Sequence, residues 1–379
     1  TVAALEQQVA SAEAQRDRLA EALAGSAGDG DVEVAAARLG GLRRELEVAR
    51  ADDIVAFDAP VADARYNGDG SRLVVAAGRE VAILDAARLS RLATVKVASS
   101  VEHAWLLGEL LVTYTDDWRL QLLSLDGKAL ADLSCGGTGN SAFTAVATPA
   151  RDGKPAQFAV GCYDGELTLW DIGPQGVLAR HALVEGDDAL ATVTALGFSG
   201  DGQWLAAGDN KGAARVWKRG QTDKPFIGSM PPAASSLQHA DAIRDIGFHP
   251  SEPTLLTTAS DDHTTRVWSI DLVTGLLIPN SAEQKTQHKL QHDRSVQRTR
   301  FVARVDDQFR LMTVSDKRVY FWTDEATRDE RRHDDTVTDA NVSADGEMLV
   351  TASNDGTARV WSSRSSTPIA VLRGHRNEV

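Results

Sequence analysis

The sequence predicts an all-β fold built from seven repeated units, and three observations lead to this prediction. A thirteen-residue phrase recurs, reading LTTASDDHTTRVW at Leu256 to Trp268 and LVTASNDGTARVW at Leu349 to Trp361. Each phrase consists of two alternating apolar runs joined by a polar turn, which is the pattern of two antiparallel strands. The copies end 39 to 54 residues apart. Repeats with this period are typical of propellers and other repeat folds.

The phrase occurs seven times, and we expect each copy to form the two central strands of one unit. A further strand precedes most copies, as at Val193 to Phe198 and Ile243 to Phe248, and short apolar runs between copies supply a fourth. Four antiparallel strands per unit, repeated radially, make a seven-bladed β-propeller, because packing blade against blade protects the sheet edges. The copies end at Leu84, Leu123, Trp170, Trp217, Trp268, Trp322 and Trp361.

Two units carry the same four polar or aromatic residues at the same places. A His precedes the first strand, a Ser and an Asp flank the turn between the second and third strands, and a Trp ends the third strand. One set is His239, Ser260, Asp262 and Trp268, and the other is His333, Ser353, Asp355 and Trp361. On these residues, the region from Ile54 to Arg373 resembles the WD-repeat (WD40) family of propellers.

The chemistry of these two tetrads favours a structural role. A buried Asp must be paired. A His that donates to the Asp and accepts from a Ser hydroxyl, itself reached by the Trp indole N–H, satisfies every partner. The alternative, a Ser-His-Asp catalytic triad, needs a Ser presented for attack beside an oxyanion hole. Repetition of the set in several units favours scaffolding.

Composition and charge narrow the class of protein. The chain has 379 residues and a formal net charge of −14, which argues against a nucleic-acid partner. No apolar run approaches the roughly 20 residues of a membrane span. Two cysteines, Cys135 and Cys162, make a disulfide framework unlikely, and no segment resembles a secretory signal. We therefore expect a cytoplasmic location.

The sequence contains no motif that would carry catalysis. There is no phosphate-binding loop, HExxH, GxSxG or paired CxxC motif, so we predict no catalytic residue, no cofactor and no metal. The prediction is a non-catalytic protein-interaction scaffold or sensor. The alternative is a propeller-fold enzyme or small-ligand binder, which would need acidic or His side chains entering the central channel from the first strands of several blades.

Candidate partner-binding residues follow from the family resemblance. Partners of WD-repeat proteins commonly engage the face where the turns between second and third strands converge. By this resemblance the residue before the turn Asp points outward, which gives Tyr163, Asp261 and Asn354, and Trp118 lies in the matching turn of the second unit. Exposed aromatic side chains at such turns are suitable anchors for a protein partner.

The two ends of the chain follow other patterns. Residues 1–52 place Val2, Leu5, Val9 and Ala12 at three- and four-residue steps, which predicts a helical hairpin or coiled-coil-like lead-in and leaves self-association through these helices open. The propeller is predicted at 53–373, with 374–379 as the start of a further repeat or a truncated tail. This arrangement resembles the C-terminal region of bacterial STAND NTPase or kinase signalling proteins, so we expect a fragment of a larger protein.

One strand is surplus in this scheme. Both Ile54 to Phe57 and Ile369 to Leu372 can serve as the fourth strand that closes the seventh unit. The sequence alone does not choose between a ring closed at seven blades and one that continues.

Overall fold

The protein, in a computed structural model, is a seven-bladed β-propeller of four-stranded antiparallel sheets. Its contacts divide the chain into two compact units, residues 55–301 on the one hand and residues 1–54 with 302–379 on the other. The structure describes residues 6–14, 57–135, 144–148, 153–183, 190–219, 226–229, 239–270, 277–279, 289–305, 308–322, 328–343, 346–362 and 365–372.

Blades 1 to 4, numbered in chain order, each contain four consecutive strands, and in each the order in the sheet is the order in the chain. Blade 1 contains β1 (Val61–Tyr66), β2 (Arg72–Ala77), β3 (Glu80–Asp85) and β4 (Arg91–Lys96). Blade 2 contains β5 (Val101–Leu107), β6 (Leu110–Thr115), β7 (Leu120–Ser124) and β8 (Ala129–Asp132). Blade 3 contains β9 (Thr144–Thr148), β10 (Ala156–Gly161), β11 (Leu167–Gly173) and β12 (Gly176–Ala182). Blade 4 contains β13 (Val193–Phe198), β14 (Trp204–Asp209), β15 (Ala214–Lys218) and β16 (Phe226–Ser229).

Blades 5 to 7 repeat the plan, except that the outermost strand of blade 5 is split. Its two pieces pair with opposite ends of the third strand. Blade 5 contains β17 (Ile243–Phe248), β18 (Leu255–Ser260), β19 (Thr264–Ile270), β20 (Leu277–Pro279) and β21 (Lys289–Gln291). Blade 6 contains β22 (Val296–Val305), β23 (Gln308–Ser315), β24 (Arg318–Trp322) and β25 (Arg328–Arg332). Blade 7 contains β26 (Val337–Val342), β27 (Met348–Ser353), β28 (Thr357–Ser362) and β29 (Pro368–Leu372).

Strand register confirms that the seven phrases are equivalent. In every blade the last residue of the phrase lies on the third strand opposite the first residue of the phrase, which lies on the second strand. The pairs are Leu73 with Leu84, Leu111 with Leu123, Phe158 with Trp170, Leu205 with Trp217, Leu256 with Trp268, Leu311 with Trp322 and Leu349 with Trp361.

The core lies between blades. The second strands β6, β10, β14 and β18 are buried at every residue, because both faces of each sheet are covered by neighbouring sheets. Buried apolar side chains accordingly cluster in pairs of blades: blades 1 and 2, 2 and 3, 3 and 4, and 4 and 5 within residues 55–301, and blades 6 and 7 within the other unit. Burial on both faces explains why these strands read as apolar runs with weak alternation.

The structure shows which role one of the two candidate closing strands takes. Pro368–Leu372 forms β29 and pairs with β28, so this segment is the fourth strand of blade 7. The competing segment, Ile54 to Phe57, lies outside the described residues except for Phe57. The tail at 374–379 also lies outside them.

The N-terminal prediction is tested only over one short helix, α1 (residues 6–14). Val9 and Ala12, which belong to the predicted apolar seam, are buried on it. The rest of the predicted hairpin or coiled coil lies outside the described residues. Within the described part of the chain, no helix has the length and hydropathy needed to cross a membrane.

The cysteines depart from the sequence-based expectation. Cys135 and Cys162 form a disulfide, with their Cα atoms 6.0 Å apart, although two cysteines gave no reason to expect a bridge. The reason is spatial: Cys135 follows β8 in blade 2, and Cys162 opens the turn between β10 and β11 in blade 3. Both side chains belong to the apolar cluster shared by these blades, so residues separated by 27 positions in sequence become neighbours.

Candidate functional site

The first tetrad forms a continuous hydrogen-bonded chain within blade 5. The Trp268 indole Nε1 donates to Thr258 Oγ1 (2.9 Å), and Thr258 Oγ1 lies 2.7 Å from His239 Nε2. His239 Nδ1 in turn lies 2.9 Å from Asp262 Oδ2. The same carboxylate accepts the backbone N–H groups of Ala240 and Thr264. The incoming segment of the blade is thereby fixed to the turn between its second and third strands.

Blade 7 repeats this arrangement within the other unit. Trp361 Nε1 donates to Thr351 Oγ1 (2.9 Å), which lies 2.6 Å from His333 Nε2, and His333 Nδ1 is 2.9 Å from Asp355 Oδ2. Asp355 also accepts a hydrogen bond from Arg359 Nη2 (3.0 Å). Two blades thus carry the same network with the same contacts.

The Ser of each predicted tetrad does not contact the His, and a Thr two residues earlier does so instead. The hydroxyl that contacts His239 belongs to Thr258, two residues before Ser260. The Ser260 hydroxyl donates to the carbonyl of Asp241 and accepts the N–H of Asp262. Ser260 ends β18 beside the turn, whereas Thr258 lies further along the same face, within reach of the Trp268 ring. Thr351 and Ser353 divide the two roles in the same way in blade 7.

The hydrogen-bond partners of His239 determine which of its ring nitrogens carries the proton. A carboxylate only accepts, so Nδ1 of His239 carries the proton and Nε2 accepts from Thr258, whose oxygen accepts from Trp268. Burial lowers the pKa of His239, although Asp262 opposes that shift. Burial raises the pKa of Asp262, but hydrogen bonds from His239, Thr264 and the Ala240 N–H outweigh it and hold this pKa well below its usual range. The pair is a neutral imidazole beside a carboxylate.

Acid is therefore expected to destabilise the propeller. The pKa values of His239 and Asp262 lie below their ordinary values of 6.5 and 3.8, so the unfolded chain binds more protons than the folded chain as the pH falls. His333 and Asp355 shift in the same directions. Stability should decline as the pH drops below 6.5 and fall further below 3.8. Thermal melts at pH 7.5, 5.5 and 3.5 measure this, and equal melting temperatures would contradict it.

Neither network is placed to catalyse a reaction. A hydroxyl, an imidazole and a carboxylate in series have the connectivity of a hydrolytic triad. The hydroxyl-bearing residues Thr258 and Thr351 are both 0% exposed, so no substrate reaches their oxygen. The chemistry left to the networks is to hold the turn and the incoming segment together.

Two other blades keep the Trp but lack the hydroxyl. Among the described residues, the buried indole N–H groups of Trp170 and Trp217 have no hydrogen-bond partner. The strand position that holds Thr258 in blade 5 is occupied by Val160 in blade 3 and Ala207 in blade 4, which offer no acceptor. In blade 6, Thr313 supplies the acceptor, and Trp322 Nε1 donates to it at 2.9 Å.

The four candidate partner residues differ in their surroundings. Tyr163 is 59% exposed and Trp118 is 49% exposed. Asp261 is partly buried and bonded to Arg244 through Nε at 2.7 Å. Asn354 is half-buried and belongs to the other unit. Of the four, only the two aromatic residues combine a large apolar surface with high exposure.

Trp118 occupies a different position in its turn from the other three residues. Its N–H bonds to the carbonyl three residues earlier, as the N–H groups of Gly165, Gly212 and Gly356 do in their turns. Its φ is 65°, in the left-handed region that these glycines also adopt. A bulky residue at such a φ is strained by about 1–3 kcal/mol. Blade 2 therefore carries an exposed tryptophan where blades 3, 4 and 7 carry glycine, and blade 5 carries His263 at the same position with a φ of 67°.

A second set of polar residues joins first strands of neighbouring blades and was missed in the sequence. Asp63 on β1 accepts the N–H of Ala104 on β5 (3.1 Å) and pairs with Arg65. Asp245 on β17 accepts the N–H of Thr299 on β22 (2.9 Å). Each Asp directly follows a β-bulge. The sequence signal for these residues is an Asp placed two positions after an apolar residue at the start of a first strand, as in Val61 and Asp63.

These carboxylates bear on the alternative of a site in the central channel. Burial raises the pKa of Asp63, but bonds with His103, Arg65 and the Ala104 N–H outweigh it and lower this pKa. His103 Nδ1 lies 3.5 Å from Asp63. Polar side chains are thus present on first strands, and Asp63 is engaged in joining blades 1 and 2.

Cys162, Asp164 and Glu166 form the one group in the described residues with ligand atoms close enough for a metal. The Cys162 sulfur is bonded to Cys135, so it offers no thiolate. The remaining two ligands are exposed carboxylates on a turn, and such groups are common without a metal.

Comparisons with known proteins agree with this architecture. The sequence model described as WD domain, G-beta repeat matches residues 182–218, 233–269 and 327–362, which correspond to blades 4, 5 and 7. The computationally designed protein Ika8 has a solved structure that superposes with a TM-score of 0.60 over 86% of this chain and 91% of its own, at 20% identity. That likeness concerns the fold alone.

Relatives of known sequence are similar over short stretches. The ribosome biogenesis protein ytm1 of Aspergillus clavatus is 30% identical over 29% of this chain and 22% of its own length. The same protein of Aspergillus niger is 27% identical over 41% of this chain and 28% of its own length. The LST8 homolog of Drosophila melanogaster is 30% identical over 30% of this chain and 34% of its own. The matched segments therefore span about a fifth to a third of the length of these relatives. The match to the sequence model and the sheet topology together show that the chain carries WD repeats on a β-propeller fold.

Proposed function

We propose that this chain is a non-catalytic protein-interaction scaffold whose partner docks on the surface formed by Trp118 and Tyr163. The observation that carries the proposal is the backbone of Trp118. A tryptophan held in the left-handed region and 49% exposed costs the fold free energy where glycine would cost none, and such strain tends to be found at functional positions.

The two aromatic residues lie in the turns between the second and third strands of blades 2 and 3, at the same end of neighbouring blades. Tyr163 adjoins Cys162, whose disulfide ties the turn of blade 3 to the end of blade 2. The Trp118 ring packs edge-on against Tyr114 with centroids 6.4 Å apart, which fixes its orientation. Large, preorganised aromatic side chains are the usual energetic centres of protein interfaces. WD repeats in other proteins commonly serve as interaction scaffolds, which supports the same class of function.

Replacing Trp118 and Tyr163 together with Ala is expected to weaken partner binding by about 100-fold, because losing two aromatic anchors typically costs about 3 kcal/mol. The measurement is a pull-down from the native host with wild type and the double variant, with recovered proteins quantified by mass spectrometry. Recovery of the same proteins in equal amounts would remove this surface from the interaction. Recovery of nucleic acid would contradict the protein-binding class.

Two further variants separate binding from folding. Tyr66 is also exposed, at 64%, but it precedes the β1–β2 turn at the opposite end of its blade, so Tyr66→Ala should bind as wild type does. Trp118→Gly removes the side chain and the backbone strain together. It should weaken binding while leaving the melting temperature unchanged or higher, and a lower melting temperature would indicate a structural role for the tryptophan.

The remaining features of the proposal rest on the sequence. We propose protein partners, no nucleic-acid partner and a cytoplasmic location. The Cys135–Cys162 disulfide removes one of the grounds for that location, and trapping of free thiols in cells tests it. A disulfide persists mainly in oxidising compartments, so full alkylation of Cys135 and Cys162 in unfractionated cells would support the cytoplasm, and complete protection would contradict it. Whether the chain is a fragment of a bacterial NTPase or kinase rests on resemblance alone. The relatives described above are eukaryotic and give this idea no support.

A further inference from the structure

A cavity of about 330 Å³ lies between blades 3 and 4, away from the turns that carry Trp118 and Tyr163. Its apolar wall is formed by side chains from both blades, including Leu169, Leu183, Phe198, Leu205 and Trp217. The volume is at the lower end of the range for ligand sites. It is sufficient for one bulky side chain.

Basic residues surround the cavity although the chain as a whole is acidic. Lys154, Lys218 and Arg219 line it, and among the described residues of the lining Asp171 is the one carboxylate. That carboxylate is already engaged, since it accepts from Gln157 Nε2 at 2.8 Å and lies 2.9 Å from His181 Nε2. The described lining therefore carries a positive charge on a protein whose formal net charge is −14. This contrast favours an anionic occupant here over other parts of the surface.

The basic groups are placed as a rim. Lys218 lies over the Trp204 ring at 5.3 Å, and Arg219 donates to the carbonyl of Pro155 at 2.8 Å. Lys154 reaches across to Gln203 at 3.3 Å, which joins the two blades at the mouth of the cavity. Lys154 and Lys218 are exposed, so their ammonium groups remain available to a ligand.

The apolar wall also contains an unsatisfied donor. Trp217 is 3% exposed, and its indole N–H has no hydrogen-bond partner, because Ala207 occupies the position that holds Thr258 in blade 5. A buried donor without a partner is uncommon in native proteins. It sets Trp217 apart from the Trp residues of blades 5 and 7.

We infer that this cavity is a second docking site, which receives one bulky apolar side chain of an acidic peptide segment in a partner protein. The apolar side chain fills the volume between Leu169, Phe198 and Trp217. Carboxylates on either side of it meet Lys154, Lys218 and Arg219. The site does not depend on the Trp118–Tyr163 surface, and the two can be tested separately.

The test is fluorescence anisotropy with labelled pentapeptides on the intact chain. The central residue is Leu, Phe or Trp, and the flanking residues are Asp and Glu, Asn and Gln, or Lys and Arg. We expect acidic peptides to bind with dissociation constants below 1 mM, at least tenfold more tightly than their neutral counterparts. Replacing the central residue with Ala should abolish binding. Higher salt should weaken it, because exposed charges are screened.

Exposed residues supply variants that should not disturb folding. Lys154→Glu with Lys218→Glu should weaken binding of the acidic peptide at least tenfold, whereas the matched control Lys96→Glu with Lys128→Glu, on blades 1 and 2, should leave it unchanged. In NMR spectra, the indole N–H signals of Trp204 and Trp217 should shift on binding. The Trp118→Ala, Tyr163→Ala variant should bind the peptide as wild type does.

Several results would overturn the inference. These are no binding by any acidic peptide at 1 mM, equal binding by neutral peptides, or unchanged Trp204 and Trp217 signals on binding. Indole-3-acetate and phenylpropionate are included as small amphipathic carboxylates. If either binds more tightly than every peptide and shifts the same signals, the cavity is a small-molecule site and the peptide assignment is wrong.

Discussion

Removing the Cys135–Cys162 disulfide is expected to lower the free energy of unfolding by about 3–4 kcal/mol. The bridge joins residues 27 positions apart, and closing a loop of that length restricts the unfolded chain much more than the folded one, in which blades 2 and 3 already pack together. The measurement is denaturant unfolding of the oxidised and the phosphine-reduced protein, which have the same sequence.

A variant with Cys135→Ala and Cys162→Ser supplies the control. Ser is the residue at the equivalent turn position in blades 5 and 7, where Ser260 and Ser353 accept a turn N–H, so Cys162→Ser should be tolerated locally. This variant should unfold like the reduced wild type and should not respond to the reductant. If the oxidised and reduced wild type unfold at the same denaturant concentration, the bridge does not stabilise the propeller.

Replacing Asp262 or Asp355 with Ala is expected to lower stability by about 1–3 kcal/mol, because buried donors are left without an acceptor. In blade 5 the change removes the acceptor for His239 Nδ1, for the N–H groups of Ala240 and Thr264, and for the Thr264 hydroxyl. No activity should be lost, since no substrate reaches Thr258. Thermal and denaturant unfolding measure the loss.

The residue beside Asp262 provides a matched control. Asp261 pairs with Arg244, whose side chain is 45% exposed, and an ion pair of that kind contributes at most about 1 kcal/mol. Asp261→Ala should therefore change stability much less than Asp262→Ala. If Asp261→Ala and Asp262→Ala have the same melting temperature, the buried network contributes no more stability than the exposed ion pair. Unchanged melting with lost turnover of some substrate would overturn the structural assignment of the tetrads.

The number of repeated units and the equivalence of their tryptophans could be predicted from the sequence. Strand alternation and repeat spacing are local properties, because a two-residue period and a polar turn fix which residues face which way along one hairpin. Trp170 and Trp361 could therefore be placed on third strands without knowing what packs on them. The pairing of His239 with Asp262 was also readable, since the same residue types recur at the same offsets.

Contacts between blades could be read only from the folded structure. Thr258 and Ser260 lie on the same face of β18 and both carry hydroxyls, so only the position of the His239 ring selects Thr258. The disulfide, the Asp63 bond to Ala104 and the cavity beside Trp217 each join parts of different blades. Such contacts depend on how sheets stack in space, and the periodicity along the chain does not encode that stacking.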